Sequence, residues 1–128
     1  MIFLDTDIMI DFFRRYPPAL GWLDDIGKEE VGLSGFVAME LIQGCQNIKE
    51  QGKLEKVLSD YQIIWPSDEV CDQALWVFAS YHLSYSLSLL DALIAQTAIS
   101  LGVPLCTFNE KHYACIKGLT TNQPYPKG

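Results

Sequence analysis

Short apolar runs of strand-like residues punctuate this chain, and each of the first four is followed closely by a stretch that reads as a helix. The runs are "MIFLD" (1–5), "EVGLS" (30–34), "YQIIWP" (61–66) and "VPLCTF" (103–108), with "LTTNQP" (119–124) expected as a last edge strand. Between them the spacing predicts helices over 8–15, 19–26, 35–46, 49–60, 68–82, 88–102 and 110–116. "YPP" and Pro66 act as breakers, and Gly102 ends the strongest helix. Strands alternating with helices over short connections require a parallel sheet covered on both faces. In such sheets, sites form outside the carboxyl ends of the strands. Asp5 and Asn109 follow two of those ends.

A chain of 128 residues is expected to form a single domain, 1–128, with a real core. The net charge of −7 argues against a broad basic surface for nucleic acid. It leaves open an enzyme that meets phosphate through bound cations, because the acids themselves would hold them. No apolar run approaches the roughly 18 residues of a membrane span, so no membrane partner is expected. Asp5, Asp7 and Asp11 interrupt the apolar N-terminal stretch and no basic segment precedes it, so it does not read as a signal peptide, and the cytoplasm is the expected location. Cys45, Cys71, Cys106 and Cys115 lie far apart with no C-x-x-C pair, which points to buried free thiols rather than a disulfide framework or a zinc site.

The acids carry the chemistry. Ionised carboxylates resist burial unless something pairs with them, yet Asp5 directly follows "IFL". Asp5 reads either as a turn residue or as a cation ligand, and Asp7 is the better candidate to cap the helix over 8–15. Asp11 falls with Arg14 and Arg15 on one polar side, as a solvated ion pair would. Asp91 shares a helix face with Ile94, Ala95 and Ala98, while Gln96, Thr97 and Ser100 lie opposite. Ser88-x-x-Asp91 also fits a capping box, so Asp91 reads as a cap or as a site acid. Glu40 sits mid-helix at the margin of the Val37, Leu41 and Gly44 stripe, where it cannot be a cap. Asn109 fits a helix cap or a site residue, and His112 reads as a surface histidine. Convergent carboxylates from separate elements repel unless a divalent cation joins them, and oxygen ligands select Mg²⁺ or Mn²⁺ over zinc.

The segments "LDTDIMIDF", "SGFVAMELIQG" and "LLDALIAQTAISLGVPLCTFNEKHY" together resemble the motifs of PIN-domain ribonucleases, especially the VapC-type toxins of bacterial toxin–antitoxin pairs. They occur in the family's order and span nearly the whole chain. The resemblance implies a three-layer α/β/α sandwich with a central, mainly parallel sheet. It further implies an acidic Mg²⁺ or Mn²⁺ site, an RNA substrate, a homodimer and a cognate antitoxin. Carried over by position, Asp5, Glu40 and Asp91 match the family's metal-binding acids. Thr6, Asp7 and Asn109 are auxiliary. Asn109 stands where many members have a further Asp, so a second metal would need Asn109 to hold a metal-bound water or Glu110 to point inward.

The implied chemistry is hydrolysis of an RNA phosphodiester at a metal held by Asp5 and Asp91, with Glu40 positioning that metal or activating water. The alternative is a catalytically impaired PIN-like domain acting as an RNA-binding or assembly module, which Asn109 favours. "IFLDTD" also resembles the nucleophile motif of haloacid-dehalogenase-type phosphatases. Asp91 lies in a helical pattern instead of the acidic motif which that class places after a strand.

Overall fold

A computed structural model describes residues 1–127; Gly128, the far end of the expected domain, lies outside them. Five strands form one sheet: β1 (Ile2–Leu4), β2 (Val31–Ser34), β3 (Gln62–Ile64), β4 (Leu105–Cys106) and β5 (Thr121–Asn122). Their order is β3-β2-β1-β4-β5, and all four pairings are parallel. β1 is central, with Phe3 opposite Gly32 on one side and Leu105 on the other. The helices are α1 (Thr6–Phe13), α2 (Pro17–Ile26), α3 (Gly35–Gln43), α4 (Ile48–Leu58), α5 (Asp68–Tyr81), α6 (Leu89–Leu101) and α7 (Glu110–Tyr113). They flank the sheet in the α/β/α arrangement expected for a parallel sheet. Among the described residues no helix is long and apolar enough to cross a membrane.

Local chemistry explains the element ends. Ser34, Asn47, Ser67 and Ser88 cap α3, α4, α5 and α6 through side-chain oxygens that accept main-chain N–H groups of the first turn. Gly102 ends α6 with φ 66°, a left-handed conformation that favours glycine. Gly35 opens α3 because a Cβ there would collide with the Trp65 indole; Phe36 then meets the same indole edge-to-face at 5.4 Å.

The core joins Phe3, Leu4, Leu33 and Leu105 of the strands to Ile8, Met9, Val37, Ile94, Ala95 and Ala98 of the helices. Two expectations about burial need correcting. Gln96 and Thr97, read as the polar side of α6, are buried, with Thr97 only 1% exposed. α5 packs along α6, and the Thr97 hydroxyl satisfies itself on the Leu93 carbonyl at 2.7 Å. All four thiols are free, but only Cys106 is buried; Cys45, Cys71 and Cys115 are half-buried.

Asp11 departs furthest from its sequence reading. It is 7% exposed, and its partners are not Arg14 and Arg15. Its Oδ2 accepts from the Tyr125 hydroxyl at 2.8 Å and pairs with Lys127 Nζ at 2.8 Å. Tyr125 packs its ring on Tyr16, Trp22 and Phe108, and Lys127 lies over the Phe108 ring. The segment after β5 thus straps back across α1 and α2, a long-range contact that no local pattern announces. Asp11→Ala leaves a buried phenol and an ammonium without their acceptor, and should cost about 1–3 kcal/mol of unfolding free energy. Asp11→Asn keeps one acceptor oxygen and should cost less. Urea denaturation of the two variants checks the order.

Candidate active site

The strand β1 delivers Asp5 to the carboxyl edge of the sheet, between β1 and β4. There the strand order reverses, as it does at ligand sites of open α/β sheets. The Asp5 main-chain N–H donates to the Cys106 carbonyl at 3.0 Å, which ties the two strand ends together. Its backbone stays extended and it caps α1, with Oδ1 accepting from the Thr6 N–H at 2.9 Å. Oδ2 accepts from Thr107 Oγ1 at 2.8 Å and from the Tyr113 hydroxyl at 3.0 Å. A carboxylate 6% exposed therefore has a donor on each oxygen, with one acceptor position of Oδ1 still open.

The expected capping role of Asp7 passes to Asp5, and α1 begins two residues earlier than the 8–15 reading. Asp7 does something else. Its Oδ1 accepts from the Ile8 N–H at 2.9 Å and its Oδ2 from the Phe108 N–H at 2.8 Å. It pins the start of α1 to the loop that follows β4.

Asp91 caps its helix and also shares a hydrogen-bond partner with Asp5. The capping box with Ser88 is present: Ser88 Oγ accepts from the Asp91 N–H at 3.0 Å, and Asp91 Oδ2 accepts from the Ser88 N–H at 3.3 Å. The other oxygen, Oδ1, receives the Tyr113 hydroxyl at 3.1 Å. Glu40 enters from α3, where its Oε1 accepts from Thr6 Oγ1 at 3.0 Å. Asp5 and Asp91 thus meet at one phenol, and Glu40 is held by the residue next to Asp5.

The last motif contributes differently from its reading. Asn109 is exposed and makes no side-chain cap. Its N–H donates to Thr107 Oγ1 at 3.0 Å and its amide rests 3.5 Å from Asp7 Oδ2. Glu110 does not turn inward; it accepts from the Thr121 hydroxyl at 2.9 Å and so braces β5. Sequence reasoning missed Tyr113 and Thr107. Their signals were slight: a threonine inside an apolar run, and a tyrosine one helical turn beyond Asn109.

The electrostatics follow from burial and crowding. Desolvation holds the Asp5 carboxyl above its usual range, against the donors Thr107, Thr6 and Tyr113, and the Asp91 charge adds to the rise. Glu40 is raised by burial and by the charges of Asp5 and Asp91, against its Thr6 hydrogen bond. Burial and the Asp5 charge push Asp7 up to about 6. Burial, with Asp5 and Asp91 alongside, pushes the Tyr113 phenol far above its ordinary range, so it remains a donor at neutral pH.

Among the described residues the ion pairs involve Glu30, Asp60 and Asp11, and none reaches Asp5, Glu40 or Asp91. No three His, Cys, Asp or Glu side chains among them form a ready-made ion cage. Hydroxyls of Tyr113 and Thr6 link the acids instead. The donor set fits a hard divalent cation nonetheless, since it is all oxygen, anionic and without a basic partner.

The chain is similar to several known proteins. The chain is 26% identical over 117 residues to Ribonuclease VapC1 of Methanocaldococcus jannaschii, covering 91% of this chain and 81% of that protein. Its structure is similar to a chain of a toxin–antitoxin complex from Klebsiella pneumoniae, with 27% identity, a TM-score of 0.80, and coverage of 99% of this chain and 100% of that one. It is also similar to a chain of VapBC2 from Rickettsia felis bound to a DNA fragment from their promoter, with 25% identity, a TM-score of 0.79, and coverage of 95% and 98%. The PIN-domain family model matches residues 2–116. With that match over most of its length, and with acids from β1, α3 and α6 gathered at one sheet edge, the chain belongs to the PIN-domain family.

Proposed function

We propose that this PIN-domain protein is a divalent-metal-dependent endoribonuclease, the toxin of a toxin–antitoxin pair. The observation that carries the reading is the gathering of Asp5, Glu40 and Asp91 at one edge with, among the described residues, no cationic side chain paired to them. Carboxylates that crowd without a counter-charge cost stability, and such a cost is kept where a cation completes the site. A relative that is a ribonuclease and others solved in toxin–antitoxin complexes support the same assignment. Asn109, the feature that favoured an impaired module, lies exposed at the rim rather than among the three acids, so its neutrality does not empty the site.

Asp5 and Asp91 would hold the cation, with Glu40 beside them; Mg²⁺ and Mn²⁺ are the ions that suit these ligands. Such an ion supplies Lewis acidity toward a phosphodiester oxygen and water of lowered pKa. Asp5 cannot swing, because three donors hold its oxygens. Glu40 is the freer acid, half-buried and tied by one hydroxyl. Its raised affinity for protons suits it to take the proton from an attacking water. No side chain has to form a covalent intermediate with the RNA.

The groove beside Glu40 suits the antitoxin. Ile10, Phe13, Leu41 and Leu54 line a cavity of about 440 Å³, with Arg14 and Lys53 at its sides. An apolar antitoxin segment seated there would lead directly to the acids. For the homodimer, α5, α6 and the turn between them expose Trp76 and Leu83, which are 70% and 88% accessible, an apolar face of the kind subunits cover.

Asp5→Asn and Asp91→Asn should each abolish RNA cleavage, and EDTA should abolish it in the wild type; full-rate cleavage by either variant removes the assignment. Asn109→Ala should lose less activity than Asp91→Asn, since an exposed amide adds no charge to the cation. Equal losses in the two would place Asn109 among the ligands.

The pH dependence has a definite sign. Asp5, Asp7 and Glu40 hold protons more tightly in the folded chain than in the unfolded one. The resulting stability is present at low pH and is lost as pH rises through the folded values, near 6 for Asp7. In EDTA the melting temperature should therefore rise as pH is lowered from about 7.5 to about 5.5. With saturating Mn²⁺ the trend should reverse, because protons then compete with the cation. Thermal melts at the two pH values, with and without metal, check both halves.

A further inference from the structure

The Tyr113 ring is a core element: it is 2% exposed and sits on the short helix α7. Phenylalanine would fill that space equally well. A buried hydroxyl costs free energy unless it is hydrogen-bonded, and this one finds partners only in the acids. It lies 3.0 Å from Asp5 Oδ2 and 3.1 Å from Asp91 Oδ1, so its single proton is shared between carboxylates delivered by the end of β1 and by α6. Packing of the ring fixes where the hydroxyl can be, and the hydroxyl in turn fixes the two acids.

Lone-pair accounting shows what this does. Each carboxylate oxygen offers about two acceptor positions. On Asp5, Thr107 and Tyr113 together fill Oδ2. The remaining capacity is on Oδ1, which already takes the Thr6 N–H. Thr6 also holds Glu40 through its hydroxyl, so the oxygen left for a cation is the one on the Glu40 side. On Asp91, Oδ2 is committed to the helix cap, while Oδ1 shares the one Tyr113 proton with Asp5, which leaves open positions on both oxygens.

We propose that Tyr113 is a positioning residue of the cation site: its hydroxyl sets the spacing of Asp5 and Asp91 and selects the Asp5 oxygen that meets the ion. This rests on the reading of Asp5, Glu40 and Asp91 as a cation site. A fixed spacing favours small ions that demand regular octahedral geometry, Mg²⁺ and Mn²⁺, over Ca²⁺, which accepts longer and less regular bonds. Tyr113 therefore contributes to ion selectivity without touching the ion.

The test is calorimetric titration of the whole protein with Mn²⁺ and with Ca²⁺, in wild type, Tyr113→Phe and Asp5→Asn, with melts in EDTA alongside. Tyr113→Phe keeps the ring, so the core survives. The expected result is a loss of about 10- to 100-fold in Mn²⁺ affinity, the usual effect of removing a group that orients a ligand. Ca²⁺ affinity should change much less, so the preference for Mn²⁺ narrows. Tyr113→Phe binding Mn²⁺ as tightly as the wild type overturns the proposal, provided Asp5→Asn does not bind; the cation site then stands without Tyr113. A proportional loss for both ions, with a lowered apo melting temperature, also overturns it, because that is general loosening. A wild type that binds neither ion overturns the cation-site reading itself, and the role of Tyr113 with it.

Discussion

A buried carboxylate at the end of the central strand organises this molecule. Asp5 ends β1, caps α1, and draws in the loop after β4 through Thr107 and the helix α7 through Tyr113. An isolated carboxylate in such a place would be driven to its neutral form. Here the donors compensate the charge in part, and their positions fix how α1, β4 and α7 meet at the sheet edge. The architecture and the chemistry thus converge on one side chain.

Much of this was legible because it depends on local rules. The alternation of apolar strands and amphipathic helices sufficed for the parallel sheet, since few other arrangements bury such runs on both faces. Asp5 and Asp91 stood out as acids beside residues that bury, while Glu40 was singled out by the resemblance to PIN-domain motifs, which marked all three as candidate metal ligands. What could not be read was the tertiary closure. Asp11 lies one helical turn before two arginines in sequence and pairs with Lys127 instead. Gln96 and Thr97 look like a polar face, yet both are buried. Tyr113 looks like a core aromatic, which it is, and its hydroxyl has a purpose only once α6 and β1 have been placed beside α7. Element lengths were overestimated at α3 and α7 because a periodic pattern continues past the point where the caps close the helix.

Asp91 shows that a helix cap and the proposed cation ligand need not be competing descriptions. One oxygen closes the first turn of α6 and the other faces the phenol. The cap holds the carboxylate in one rotamer, which is what a site acid needs, so the local interaction and the long-range one support each other. The same economy explains Thr6, whose main chain satisfies Asp5 while its hydroxyl orients Glu40. A few short polar side chains at strand ends and helix starts thereby hold a cluster of like charges that would otherwise disperse.

The contact of Trp65 with Gly35 limits how this sequence can drift. The indole lies where a Cβ on Gly35 would be, and Gly35 opens the helix that carries Glu40. A larger residue at 35 is admissible only in a chain that has already lost the indole, and a chain without the indole is released from needing glycine. Positions 35 and 65 should therefore change as a pair across descendants of this sequence. Intermediates carrying both bulky side chains would tilt α3 and move Glu40 away from the acids on β1 and α6. Neither residue touches the reacting groups, yet the pair belongs to the history of the site as much as the carboxylates do.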